Sequence, residues 1–217
     1  MQHRPALAAG SLAVLAGSAF ASEPPGYAQT FVDTFAEACV PGRLSYEGTK
    51  QAALAAGWQL VETTDHPELA AVSQKANEAL AAEDDFKMDI VGEYYARDVG
   101  GLRHHLSVAE SRFVIEEGDA PWVLVGCHLY SFDATAPIDP APLTALMGKP
   151  ISNSIDVDGL VGHVWGPPCP MPRTGDTYLS FVAEGSVTAE EVGFSGLSLN
   201  FSTSTPDPGE VVPETYC

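Results

Sequence analysis

Four cysteines, Cys39, Cys127, Cys169 and Cys217, stand with no two closer than 42 positions, and that spacing limits what the chain can become more than any other feature. Zinc sites usually need a C-x₂₋₄-C pair and thioredoxin-like redox centres a C-x-x-C pair; neither occurs. An even number of distant cysteines points to disulfides, provided the chain meets an oxidising compartment. The N-terminus supplies that condition. Arg4, with His3 and the amino terminus, makes a positive start, Ala6 to Phe20 carries no charge, and Ala19-Phe20-Ala21 has the A-x-A form of a signal-cleavage site. About 15 moderately apolar residues fall short of the roughly 20 of a spanning helix, and Ser22-Glu23-Pro24-Pro25-Gly26 breaks the run at once. Residues 1–21 are therefore expected to be a signal peptide cleaved after Ala21, and residues 22–217 a single exported domain, periplasmic or secreted. No cysteine stands at the cleavage point for lipid attachment, and no later stretch is apolar enough to cross a bilayer, so no integral membrane segment is expected after cleavage.

Four cysteines allow three pairings. Cys39 with Cys127 and Cys169 with Cys217 is preferred, because Cys39 falls on a predicted helix and Cys127 on a predicted buried strand. The second bridge would tie the chain end to the stiff loop Pro167-Pro168-Cys169-Pro170-Met171-Pro172. It would also hold the aperiodic tail Thr205 to Glu210, which has nothing else in the sequence to order it. Each bridge closes a loop of tens of residues, worth about 4 kcal/mol in the chain-entropy model.

Charge narrows the partners. The chain has 10 Lys and Arg against 29 Asp and Glu, a net charge of −19, and loss of Arg4 with the signal would make it one unit more negative. With 45% apolar residues it has enough to bury a core and is not disordered. Too few cations remain to build a basic face, which excludes nucleic acid and anionic membrane as partners.

The first half is read as helical and the second as sheet. Phe31, Phe35 and Cys39 recur at four-residue steps on a helix from about Gln29 to Val40, ended by Pro41-Gly42. Ser45 caps a second, alanine-rich helix that Gly57 ends, and Trp58 to Val61 leaves it as a short strand. Asp65-His66-Pro67-Glu68 opens a third helix carrying Leu69, Val72, Ala76 and Leu80, which Glu83-Asp84-Asp85 ends. Strands follow at Met88 to Arg97, Leu106 to Ile115, Trp122 to Phe132, Ile155 to Trp165, Thr177 to Val182 and Phe194 to Thr203, with a short helix inserted after Asp139-Pro140. Both alternating sets of Trp122 to Leu129 are apolar, as in a central strand covered on both sides. The order predicts a single, disulfide-stapled α+β domain, a mainly antiparallel sheet with the N-terminal helices packed on one face.

The segment Phe31-Val32-Asp33-Thr34-Phe35-Ala36-Glu37-Ala38-Cys39, followed by Gln51-Ala52-Ala53-Leu54-Ala55-Ala56-Gly57-Trp58, resembles the opening of uncharacterised exported or lipoprotein-like domain families of proteobacteria. There a helix ends in cysteine, an alanine-rich helix ends in Gly-Trp, and a later apolar strand carries another cysteine, here Cys127. The resemblance covers about half of the expected mature chain. It implies a periplasmic α+β domain with a helix-to-strand disulfide and no established activity, and it carries over no functional residue.

No catalytic set assembles from spacing. Of His66, His104, His105, His128 and His163, no two stand three or four residues apart, so none form a helical metal pair, and His104 and His105, if on a strand, face opposite ways. If the strands bearing His128 and His163 pair, these two could meet near Asp156 or Asp158, the site of an alternative small hydrolase or metal-dependent enzyme. Asp156-Val157-Asp158-Gly159 has the middle of a calcium loop but lacks its first and twelfth ligands, and an Asp-Gly turn between strands explains it better. Gly193-Phe194-Ser195-Gly196-Leu197 begins like a G-x-S-x-G elbow but ends in Leu197. Glu116-Glu117 and Glu190-Glu191 are carboxylate pairs of the kind usually found solvated. No phosphate or dinucleotide loop occurs, and no cofactor or metal site is expected. The sequence thus favours a binding or structural accessory domain of the cell envelope over an enzyme, its partner an envelope protein or a small ligand.

Overall fold

In the computed structural model, residues 26–82, 88–114 and 121–215 are described; the expected signal peptide, Glu83-Asp84-Asp85, Glu116-Glu117 and Cys217 lie outside them. The stripe on the first helix, α1 (Tyr27–Cys39), is buried along its whole length, from Tyr27 through Phe31, Val32 and Phe35 to Ala38 and Cys39. A tight turn leads into α2 (Tyr46–Ala55), where the Ser45 hydroxyl accepts from the Gly48 amide as an N-cap should. A Cβ on Gly42 in that turn would lie 2.1 Å from the Gly48 carbonyl, so only glycine lets the two segments cross.

The chain continues through β1 (Gln59–Val61), a single 3₁₀ turn (Thr63–Asp65) and α3 (Pro67–Ala82). Then come β2 (Met88–Val99), β3 (Leu102–Phe113), β4 (Trp122–Ser131), α4 (Ala141–Met147), β5 (Asn153–Val157), β6 (Leu160–Trp165), β7 (Thr174–Val182), α5 (Val187–Val192) and β8 (Gly196–Ser204). All eight strands form one antiparallel sheet in the order β1-β2-β3-β4-β8-β7-β6-β5. The fold is α+β in one domain, as expected. The segment read as one strand from Ile155 to Trp165 is a hairpin, and its turn residues Asp158 and Gly159 both have positive φ, the type I′ geometry that an Asp-Gly pair favours. The short α5, capped by Ser186, was not anticipated.

The two faces of the sheet are covered differently. On one, Leu106, Val108, Cys127, Leu129, Leu199 and Phe201 pack under α1, α2 and α4 in the main core. Phe35 meets Phe201 edge-on with ring centroids 5.0 Å apart, and Trp165 donates from Nε1 to Thr144 on α4. The Cys39–Cys127 disulfide joins α1 to β4. On the other face lies α3, against expectation: Leu69 packs with Tyr130 and Phe132, and Tyr94 donates to Ser73. A helical period marks an apolar stripe without saying which side of a sheet will receive it.

The end of the chain is held before Cys217 is reached. Arg173 donates to the carbonyls of Ser204 and Thr205 and pairs with Glu210, and Thr215 donates to the Cys169 carbonyl. No cysteine among the described residues is free; the expected partner of Cys169 lies outside them. Because Cys39 and Cys127 are 88 residues apart, their bridge removes about 4.5 kcal/mol of denatured-state entropy in the chain-entropy model. Cys39→Ala/Cys127→Ala is expected to lose about 3 to 5 kcal/mol in guanidinium unfolding, and a change below about 1 kcal/mol would show that the bridge is incidental.

Candidate functional site

On the face beneath α3, strand register places one small residue after another. Gly92 on β2 lies opposite Ala109 on β3, Ala109 opposite Gly126 on β4, and Gly126 opposite Ser202 on β8. The next row toward the N-terminus of α3 is Tyr94, Ser107, His128 and Asn200. Side chains one row apart on a strand share a face, so the small row is a trough and the larger row its inner wall. Above it, Val72, Ala76 and Leu80 continue the apolar stripe of α3, yet only Leu69 of that stripe is buried and Ala76 is exposed. The C-terminal half of α3 therefore stands off the sheet, and the gap is a cleft of about 490 Å³. The three heavy atoms nearest to a Cβ on Gly92 would all belong to Val108 and Ala109 of the sheet, at 3.4 to 3.8 Å.

Among the described residues no charged side chain lines this cleft. The Ser107, Ser111 and Ser202 hydroxyls and the Asn77 amide reach it, while Ile90 and Leu124 make its outer end apolar. His128 is central. Its Nε2 lies 3.4 Å from where a Gly126 Cβ would stand, over the trough, and its Nδ1 faces the Tyr130 hydroxyl at 3.4 Å. Burial pushes the His128 pKa down to about 4 and the Tyr130 pKa up, so both are neutral at pH 7.

The other histidines serve the fold. His104, on the α1 side, has Nε2 2.7 Å from the Tyr27 hydroxyl and Nδ1 3.0 Å from the Leu102 carbonyl oxygen. His105, on the α3 side, donates from Nε2 to Asp65, which also receives Arg103. The hydrogen bond from His105, then Arg103, holds the Asp65 carboxyl below the ordinary range, while desolvation keeps His105 itself neutral. Asp65 is thus an anchor for β3 rather than the helix cap its sequence suggests. The cap is His66, whose Nδ1 accepts from the Glu68 amide. His163 pairs with Ser154 on the opposite face from His128.

The alternative site does not come together. Strands β8 and β7 lie between those bearing His128 and His163, about 14 Å of sheet, and Asp156 is exposed on the β5 edge. Among the described residues no group of three or more His, Cys, Asp or Glu is placed to hold a metal ion. Ser195 precedes β8, where its hydroxyl and amide both donate to Glu68 Oε1. That bond fastens the α5–β8 connection to the start of α3 and leaves the hydroxyl facing a carboxylate instead of an imidazole. These residues border a larger cleft of about 830 Å³ with Asp133 and Glu184, but its buried polar groups are spent on one another. Of the residues picked out in the sequence, His128 alone turns a free polar atom into this cleft. Glycines inside two predicted strands, two residues before Tyr94 and His128, were the signal for it.

No protein-family model, curated protein or solved structure matches the chain. No helix among the described residues is long and apolar enough to cross a membrane.

Histidines that are neutral when folded make stability depend on pH. Burial lowers the pKa of His104, His105 and His128, whereas unfolded histidine titrates near about 6.5. Between about pH 6.5 and 4 the unfolded chain takes up protons that the folded chain refuses, so this stability is complete above pH 6.5 and lost as pH falls toward 4. His128→Gln removes one such titration, so its unfolding free energy is expected to fall less steeply over that interval than that of the unaltered chain. Equal slopes in denaturant titrations would contradict a neutral His128.

Proposed function

We propose that the chain is an exported, periplasmic or secreted binding domain of the cell envelope that holds a small uncharged ligand between α3 and the sheet. The observation that carries this is the trough of small residues beneath a helix whose own apolar stripe is left open. Folding ordinarily closes such a gap, because each apolar side chain left facing water forgoes about 1.5–3 kcal/mol. The cleft lies within the size range of small-molecule sites and combines apolar walls with a few polar groups. Its uncharged lining disfavours an ion, which would lose hydration without gaining a partner. Export rests on the N-terminal pattern of Arg4, the Ala6 to Phe20 run and Ala19-Phe20-Ala21, and is supported by the disulfide. The kinship with exported proteobacterial domains rests on the helix-Cys and Ala-Ala-Gly-Trp segments.

N-phenyl-1-naphthylamine, an uncharged probe that fluoresces on leaving water, tests the cleft. It is expected to bind saturably at one site per chain, and Gly92→Val, which fills the trough without backbone strain, should weaken binding at least tenfold while leaving the melting temperature unchanged or higher. Unsaturable binding, or equal binding to the variant, would count against the cleft. Sequencing the N-terminus of the product exported by a bacterial host is expected to give Ser22 first, and a retained Met1 would remove the export assignment.

A further inference from the structure

Among the described residues the cleft is closed at one end and open at the other, and its chemistry changes along the way. At the N-terminal end of α3, Leu69 is fully buried against Tyr130 and Phe132 and seals the space. The inner wall there is polar, with His128, Tyr94 and Ser107 side by side in register. At the outer end Leu80, Leu124 and Ile90 remain, and Ile90 is 41% exposed. A ligand matching this gradient carries its polar group inward and its apolar part outward, along the open stripe of Val72, Ala76 and Leu80.

The inner group can be specified further. Tyr130 is neutral and has an O–H to give; directed at His128 Nδ1 it leaves the imidazole proton on Nε2, the atom over the trough. That nitrogen then donates, so the ligand presents an oxygen acceptor. Among the described residues no lysine or arginine lines the space to pair a carboxylate, and no acid lines it to pair an amine. At roughly 30 Å³ for each liquid-sized group, 490 Å³ takes up to about sixteen non-hydrogen atoms.

Building on the cleft as a binding site, we infer that its ligand is an uncharged single-chain amphiphile, an ester, amide or alcohol of about ten carbons, with its oxygen at His128 Nε2 and its chain along α3. Displacement of N-phenyl-1-naphthylamine by methyl decanoate, 1-decanol and decane below their aqueous solubility, and by decanoate and decylamine below their micelle concentration, tests it on the mature chain with its disulfides intact. The ester and the alcohol are expected to displace the probe at least tenfold more tightly than decanoate or decylamine. His128→Phe should weaken the ester about tenfold and leave decane unchanged, which also shows that the variant has kept its cleft. His128→Gln, which keeps a donor, should retain most of the ester affinity. Decanoate binding as tightly as the ester, or ester affinity indifferent to His128→Phe, would overturn the inference while leaving the binding cleft standing. Failure of the probe itself to bind would instead remove the cleft reading on which it rests.

Discussion

The seating of α1 on the sheet is the constraint from which the remaining architecture follows. Phe31, Phe35 and Cys39 fill the middle of one face, and the bond from Cys39 to Cys127 makes that seating covalent at the centre of the sheet. With α2 and α4 beside it, this face is complete. The other face must then be covered by what is left, chiefly α3. A helix with its side chains is about 10 Å wide, whereas eight strands spread over about 34 Å. One helix laid along the strands at the β2–β4 side cannot cover the whole width. The uncovered strands answer with Ser180, Asn200 and Ser202, half-buried side chains that tolerate water, so an open second face is written into the alternation of β7 and β8. The cleft is the border between the part that α3 covers and the part it does not.

Legibility in the sequence followed the range of each interaction. The α1 stripe, the Ser45 cap and the Asp158-Gly159 turn depend on neighbours within a few residues, and each was read from the chain; β4 is central as expected but not covered on both sides, since Trp122 is 56% exposed and Leu124, Gly126 and His128 border the cleft. The helix-to-strand disulfide was legible because both its ends sat on elements of that local kind. What depended on strand order was not. Placing His128 with His163 required β4 to pair with β6, but β8 returns to lie beside β4 and carries β7 between them. Asp65 looks like a helix cap because its only sequence neighbours are those of α3; its partners, Arg103 and His105, arrive from a strand some 40 residues away. The trough was half legible. Gly92 and Gly126 announce an unusual spot in each strand, but only the register through Ala109 lines them up.

The ion pairs explain how so acidic a chain keeps a charge-free interior. Lys50 joins Glu47 and Glu93, Arg97 joins Glu37, Arg103 joins Asp65 and Asp98, and Arg173 joins Glu210. Apart from the pair of Lys50 with Glu47 inside α2, these link separate elements, α2 to β2, α1 to β2, the 3₁₀ turn to β3, and the β7 start to the tail. Cations are scarce, and these are committed to holding segments together at the rim. Such exposed pairs are each worth little in stability, but their placement leaves the excess acids outside, facing solvent.

That distribution bears on how the cleft can discriminate. A field that is negative on the outside repels anionic amphiphiles before contact and attracts cationic ones, so long-range steering alone would select amines. Inside, however, no acid among the described residues waits for an amine, and burial holds His128 and Tyr130 at the inner wall neutral. The cost of stripping water from either ion then falls on the ligand with nothing to offset it. Attraction at the surface and desolvation within oppose each other for cations and add together for anions, which leaves neutral molecules as the class that meets neither penalty.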